Sequence, residues 1–162
     1  MSCAETADGP LLLDASVWLA ALDRDDRHHA AAQQLLEAAA SGAATVAALD
    51  LTLYEVANVA VVRWRSPADA ERIVALVVLA CPGTVERVDE TLVHRATAVA
   101  TRHGLTVYDG AYVAAAARRN WTLVSGDIAD LVAPGHAISP DVALTRPRLT
   151  RRLEDDVTGT NP

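Results

Sequence analysis

The stretch LLLDASVWL, residues 11–19, decides the fold. Three leucines run directly into Asp14, a small residue and a hydroxyl follow at Ala15 and Ser16, and a new apolar pattern opens at Val17. A short, unbroken apolar run bounded in this way reads as a strand buried on both faces. Asp14 then stands at the carboxyl end of that strand, the edge where open parallel α/β sheets place their ligand sites. A carboxylate directly after three leucines is costly to bury unless something compensates it, and a cation is the usual compensation. The plainer alternative is that Asp14 only caps the next helix, which aspartate does well.

Outward from this stretch, strands and helices alternate. Residues 16–22 read as a short helix and 23–27 (DRDDR) as a solvated charged link. An alanine-rich helix over 28–40 stops at Ser41-Gly42. His28 and His29 are adjacent, so they point different ways on a helix, and both are expected at the surface. Residues 43–48 form a second strand, and Asp50 is placed to cap a helix over 51–64. Ser66-Pro67-Ala68-Asp69 is a helix start, with a serine cap, proline in the first turn and an acid closing the box. A third strand covers 84–88, and a helix over 90–103 follows the cap Asp89 and ends at Gly104. Tyr108-Asp109-Gly110 opens another helix, which ends in Arg118 and Arg119, where the helix dipole favours basic residues. A fourth strand, 121–124, delivers Ser125-Gly126-Asp127, and 137–138 is a short fifth. This alternation predicts one α/β domain, a parallel sheet covered on both faces, over residues 11–144. Residues 1–10 read as a lead-in. Residues 145–162 read as a tail, with arginines at 146, 148, 151 and 152, expected to be mobile or to order against a partner.

The totals agree with that plan. A chain of 162 residues, 51% hydrophobic, is long enough for one domain with a real core, built here of small aliphatics because there is no phenylalanine. A net charge of -7 argues against binding nucleic acid through bulk positive charge. It is compatible with binding phosphates through cations that clustered carboxylates attract first. Cys3 and Cys81 form neither a disulfide framework nor a metal pattern, which fits a reducing, cytoplasmic location. No signal peptide and no membrane span are expected, since the longest apolar stretch is broken at Pro82-Gly83.

Two strands end alike, LLLDAS and TLVSGD. If they are parallel neighbours, Asp14 and Asp127 reach the same sheet edge. Asp109 and Glu55 lie in the first turns of helices that also begin there, and Asn58 shares a face with Glu55. Converging carboxylates stay charged together only when cations neutralise them. An all-oxygen set suits Mg²⁺ or Mn²⁺ rather than zinc. Such a site supports phosphoryl chemistry. No GxxxxGK[ST] loop and no GxSxG elbow is present. Taken singly, each acid is better read as a cap or a surface charge; the reading as a site rests on all four together.

These stretches resemble the PIN-domain ribonucleases, specifically the VapC-like toxins of type II toxin–antitoxin systems. The resemblance spans residues 11–144 and rests on LLLDASVWLAAL at 11–22, LTLYEVANVA at 51–60 and LTVYDGAYVAAAARRNWTLVSGD at 105–127. It implies a three-layer α/β/α fold with a parallel sheet in strand order 3-2-1-4-5. It implies a catalytic set of Asp14, Glu55, Asp109 and Asp127, with Asp14, Asp109 and Asp127 on the metal and Ser16, Asn58 and Ser125 in support. Asn58 would orient Glu55 or touch substrate. It further implies Mg²⁺-dependent hydrolysis of RNA to 5′-phosphate and 3′-hydroxyl ends, a cognate antitoxin and a homodimer. Two other readings share the fold: a catalytically silent RNA- or protein-binding module, and a structure-specific DNA nuclease.

Overall fold

A computed structural model describes residues 9–146. The arginines at 148, 151 and 152 of the expected tail lie outside the described residues. In chain order the elements are β1 (Leu11–Leu13), α1 (Ala15–Ala20), α2 (His29–Ala40), β2 (Val46–Leu49), α3 (Asp50–Val62) and α4 (Pro67–Ala80). They continue with β3 (Val85–Glu86), α5 (Glu90–His103), α6 (Val107–Arg119), β4 (Thr122–Val124) and α7 (Pro140–Leu144). A single π-helical turn, Ile128–Val132, follows β4.

The strands pair in parallel in the order β3-β2-β1-β4, with Leu11 opposite Val46 on one side and Thr122 on the other. The expected five-stranded order is corrected to four strands. At the fifth position only Ile138 pairs, in one parallel bridge with Val124. Its N–H reaches the Leu123 carbonyl and its carbonyl accepts from Ser125. Ser139 caps α7 immediately afterwards and Pro140, with no N–H to donate, cannot extend a ladder.

β1, β2 and β4 feed both layers because successive side chains point to opposite faces. Leu11, Leu13, Val46, Ala48 and Val124 pack with α1, α2, α4 and α7. Leu12, Ala47, Leu49 and Leu123 pack with α5 and α6. Trp18, fully buried, does the work of the absent phenylalanines, and its indole N–H donates to the Leu13 carbonyl at 3.2 Å.

His28 departs from the expectation of an exposed residue. It is buried, and its Nδ1 lies 2.9 Å from Oδ2 of Asp141 in α7. It therefore ties α7 to the start of α2. His29 is half-buried with Nδ1 2.8 Å from the Ala20 carbonyl. Asp50 is the first residue of α3 rather than its cap, and its carboxylate accepts from Val88 N–H at 3.0 Å.

At the far end of α6, Arg118 and Arg119 both close on the buried Glu86 of β3, and Arg118 also reaches Asp89 at 3.1 Å. Burial alone would raise the Glu86 carboxyl. The hydrogen bonds and charges of Arg119 and Arg118 outweigh it and hold Glu86 below its ordinary 4.5. A depressed acid stabilises the fold above its unfolded pKa, and that contribution is lost as pH falls through the folded value. Glu86→Gln is expected to cost about 2 kcal/mol at pH 7, because two arginines lose their shared charge partner. Urea unfolding at pH 7 and again well below pH 4.5 checks this: the gap between variant and parent should shrink in acid.

Candidate functional site

The site is built at the carboxyl edge of β1 and β4. Asp14 follows β1 and caps α1, as the plainer reading has it, and it is also buried at the sheet edge. Its Oδ1 accepts from Ser16 N–H at 3.0 Å, from the Ser16 hydroxyl, and more distantly from Val17 N–H at 3.3 Å. Its Oδ2 accepts from the Ser125 hydroxyl. Each of those hydroxyls spends its proton on Asp14 and uses its oxygen to accept a backbone N–H from the loop after β4. Gly126 donates to Ser16 Oγ at 2.7 Å and Asp127 donates to Ser125 Oγ at 2.9 Å. Two serines thus stitch the ends of β1 and β4 together through one carboxylate. A Cβ at Gly126 would lie 3.1 Å from Ser16 Oγ, so any larger residue there would have to push that hydroxyl by a few tenths of an ångström.

Burial, only partly offset by the Ser125 and Ser16 hydrogen bonds, lifts the Asp14 carboxyl from 3.8 to about 6. A carboxylate has about four acceptor positions, and Oδ2 takes only one hydrogen bond among the described residues, so it keeps acceptor capacity.

Glu55, half-buried on the second turn of α3, is raised above its ordinary range, first by burial and then by the negative charges of Asp14 and Asp109. The charges of Asp14 and Asp109 thus reach Glu55. Asp109 sits in the first turn of α6, where the cap Thr106 exchanges hydrogen bonds with its backbone N–H and its carboxylate. Asp127 is engaged locally. Its Oδ1 accepts from Asp130 N–H at 3.0 Å and caps the π-helical turn, while its backbone joins it to Asp14 through Ser125.

The structure brings together Asp14, Ser16, Ser125 and the Asp127 backbone by direct hydrogen bonds, while Glu55 lies within reach of the charges of Asp14 and Asp109. It does not draw the acids into a closed cage: among the described residues, no three acid, histidine or cysteine side chains are grouped to hold a metal ion. Chemically the donor set fits a hard divalent cation, being all carboxylate and hydroxyl oxygen with a mutual repulsion that a cation relieves.

Asn58 is exposed and makes no hydrogen bond to Glu55. The side chain that holds Glu55 is Tyr112, which the sequence analysis did not single out. Its hydroxyl donates to Glu55 Oε2 at 2.6 Å and lies 2.8 Å from Thr52 Oγ1. Burial, and then the Glu55 charge, push the Tyr112 hydroxyl well above its ordinary 10, which keeps it a donor. The signal that could have found it is local: Thr52 stands one turn before Glu55 and Tyr112 one turn after Asp109, each sharing a helical face with its acid.

A parallel sheet sandwiched by helices, with Asp14 and Asp127 placed just after β1 and β4, defines a three-layer α/β/α domain. The chain belongs to the PIN domain family, whose model matches residues 11–129. Among solved structures it is similar to PAE2754 from Pyrobaculum aerophilum, at 25% identity and TM-score 0.63, over 88% of this chain and 97% of that one. It is similar in fold to Mycobacterium tuberculosis VapC20, described as a sarcin-ricin loop cleaving toxin, at 20% identity and TM-score 0.59, over 77% of this chain and 95% of that one. A toxin–antitoxin complex from Klebsiella pneumoniae matches in fold at 18% identity and TM-score 0.58, over 80% of this chain and 97% of that one. No curated protein matches the sequence. Among the described residues no helix is long and apolar enough to cross a membrane.

Proposed function

We propose that the chain is a metal-dependent endoribonuclease, the toxin of a toxin–antitoxin pair, that hydrolyses RNA phosphodiesters to 5′-phosphate and 3′-hydroxyl ends. The observation that carries this reading is the placement of Asp14, buried at the carboxyl edge of β1 and β4 between the Ser16 and Ser125 hydroxyls, with Glu55 held nearby on α3 by Tyr112. Membership of the PIN domain family and a fold shared with toxin–antitoxin proteins support it. Asp14, Asp109 and Asp127 would hold Mg²⁺, with Mn²⁺ as a substitute, and Asp14 Oδ2 is the oxygen with capacity to spare. When bound, such a cation offsets charge on the phosphate and makes water acidic enough to ionise near neutral pH. Glu55, with its raised carboxyl, orients the attacking water and takes its proton. Ser16 and Ser125 keep Asp14 fixed at the edge. With a net charge of -7, RNA is held locally rather than by the surface at large.

The same reading includes a cognate antitoxin and a homodimer. Val61, Val62, Val78 and Leu79 leave apolar surface exposed along α3 and α4, whereas Val77 is core. That surface supports a protein interface. The cellular test is brief expression of the chain without its partner, followed by sequencing of RNA ends. New 5′-phosphate ends are expected with the parent and none with Asp109→Asn. Identical end profiles for both would overturn the reading.

A further inference from the structure

We propose that Thr52 and Tyr112 are positioning residues that act through Glu55, by a directed chain of hydrogen bonds that starts at the end of β2 and fixes one carboxylate oxygen. What Glu55 does is taken from the ribonuclease reading above; the chain itself rests on geometry.

The direction of every link can be assigned. The backbone N–H of Leu49 can only donate, so Thr52 Oγ1 accepts it, at 3.2 Å. An ionised carboxylate can only accept, so the single Tyr112 proton goes to Glu55 Oε2, at 2.6 Å. The 2.8 Å link between the two hydroxyls must then run from Thr52 to Tyr112, which uses the one proton that threonine has left. No donor in the sequence Leu49, Thr52, Tyr112, Glu55 is duplicated. Hydrogen bonds aligned in one sense polarise one another.

Neither hydroxyl residue can meet a substrate. Thr52 is 0% exposed and Tyr112 2% exposed. Glu55 is only half-buried, and its Oε1 accepts no hydrogen bond among the described residues. Oε2 is anchored inward while Oε1 is left for the reaction. The chain also joins three elements, β2, α3 and α6. The last of these carries Asp109, so one wire sets the register between two acids of the site.

A buried polar pair that merely stabilises the fold would give a different pattern on mutation. Tyr112→Phe deletes one oxygen without changing shape. It is expected to lower kcat on a single-stranded RNA about 10- to 100-fold with little change in KM. In a Glu55→Gln background the same substitution should lower kcat less than twofold further. Thr52→Val should lower kcat in the same sense, and Thr52→Ser should restore most of that loss. The second readout needs no activity. In proton NMR of the full chain, the Tyr112 hydroxyl proton should exchange slowly, move upfield in Glu55→Gln and move less in Thr52→Val. A parent-like kcat in folded Tyr112→Phe, an equal loss in both backgrounds, or a hydroxyl signal unmoved by Glu55→Gln overturns the inference. A parent protein that cleaves no RNA overturns the ribonuclease reading instead, and the hydroxyl signal then still decides the chain.

Discussion

Asp14→Asn is expected to abolish RNA cleavage, by at least about 100-fold, while raising the melting temperature of the metal-free protein. The two effects share one cause. Asp14 is buried after three leucines, and its carboxyl is lifted from 3.8 to about 6 chiefly by that burial. The folded chain therefore binds this proton more tightly than the unfolded chain does. The stability it contributes is full below pH 3.8 and is lost as pH rises through about 6. A shift of this size corresponds to about 3 kcal/mol of strain at neutral pH. Asparagine removes the charge but turns one acceptor into a donor facing Ser125, so part of the gain is offset. A net stabilisation of about 1–2 kcal/mol, or roughly 3–6 °C, is expected at pH 7 in EDTA. The advantage should vanish near pH 4, where the parent carboxyl is protonated. Thermal unfolding at both pH values checks the stability arm, and a cleavage assay checks the other. A destabilised variant at pH 7 would show that Asp14 is not strained by its burial.

Gly110→Ala should give the second large effect, on stability. A Cβ at this position would lie 2.4 Å from the Ala96 carbonyl oxygen and 3.4 Å from Ala100 Cβ, so α5 and α6 touch backbone to backbone here. A carbonyl in a helix cannot yield as a flexible side chain can, and the two helices must part. A loss of about 3 kcal/mol, or roughly 10 °C in Tm, is expected. Gly110 adjoins Asp109, so the residual folded protein should also cleave RNA more slowly. Urea unfolding of parent and variant measures the first effect. A parent-like midpoint would mean that the α5–α6 contact has slack.

The contrast between these residues and those the sequence left unread follows from range. Asp14 was legible because the leucines before it and the hydroxyl after it lie within a few residues, and β1 is a strand by its own composition. The shared edge for Asp14 and Asp127 followed from two similar strand endings plus the rule that parallel strands align their carboxyl ends. His28 was misread because its burial comes from α7: its partner Asp141 is 113 residues away, and no local period carries that contact. The fifth strand shrank to a bridge because Ser139-Pro140 turns the chain into a helix, a local signal that a short apolar pair overrode. Tyr112 shares a helical face with Asp109, which marks it locally, but its partner lies on another helix. Only the tertiary approach of α3 and α6 shows that its hydroxyl serves Glu55.

We propose that this acidic edge cleaves RNA by a cation-assisted attack of water. Such an attack is tested most directly by incubating the purified chain with a defined single-stranded RNA, in Mg²⁺ and in EDTA, and reading the chemistry of the new ends. Cleavage in Mg²⁺ alone, with 5′-phosphate and 3′-hydroxyl ends, is the expected result. Cleavage that persists in EDTA, or ends that carry a 2′,3′-cyclic phosphate, would contradict it.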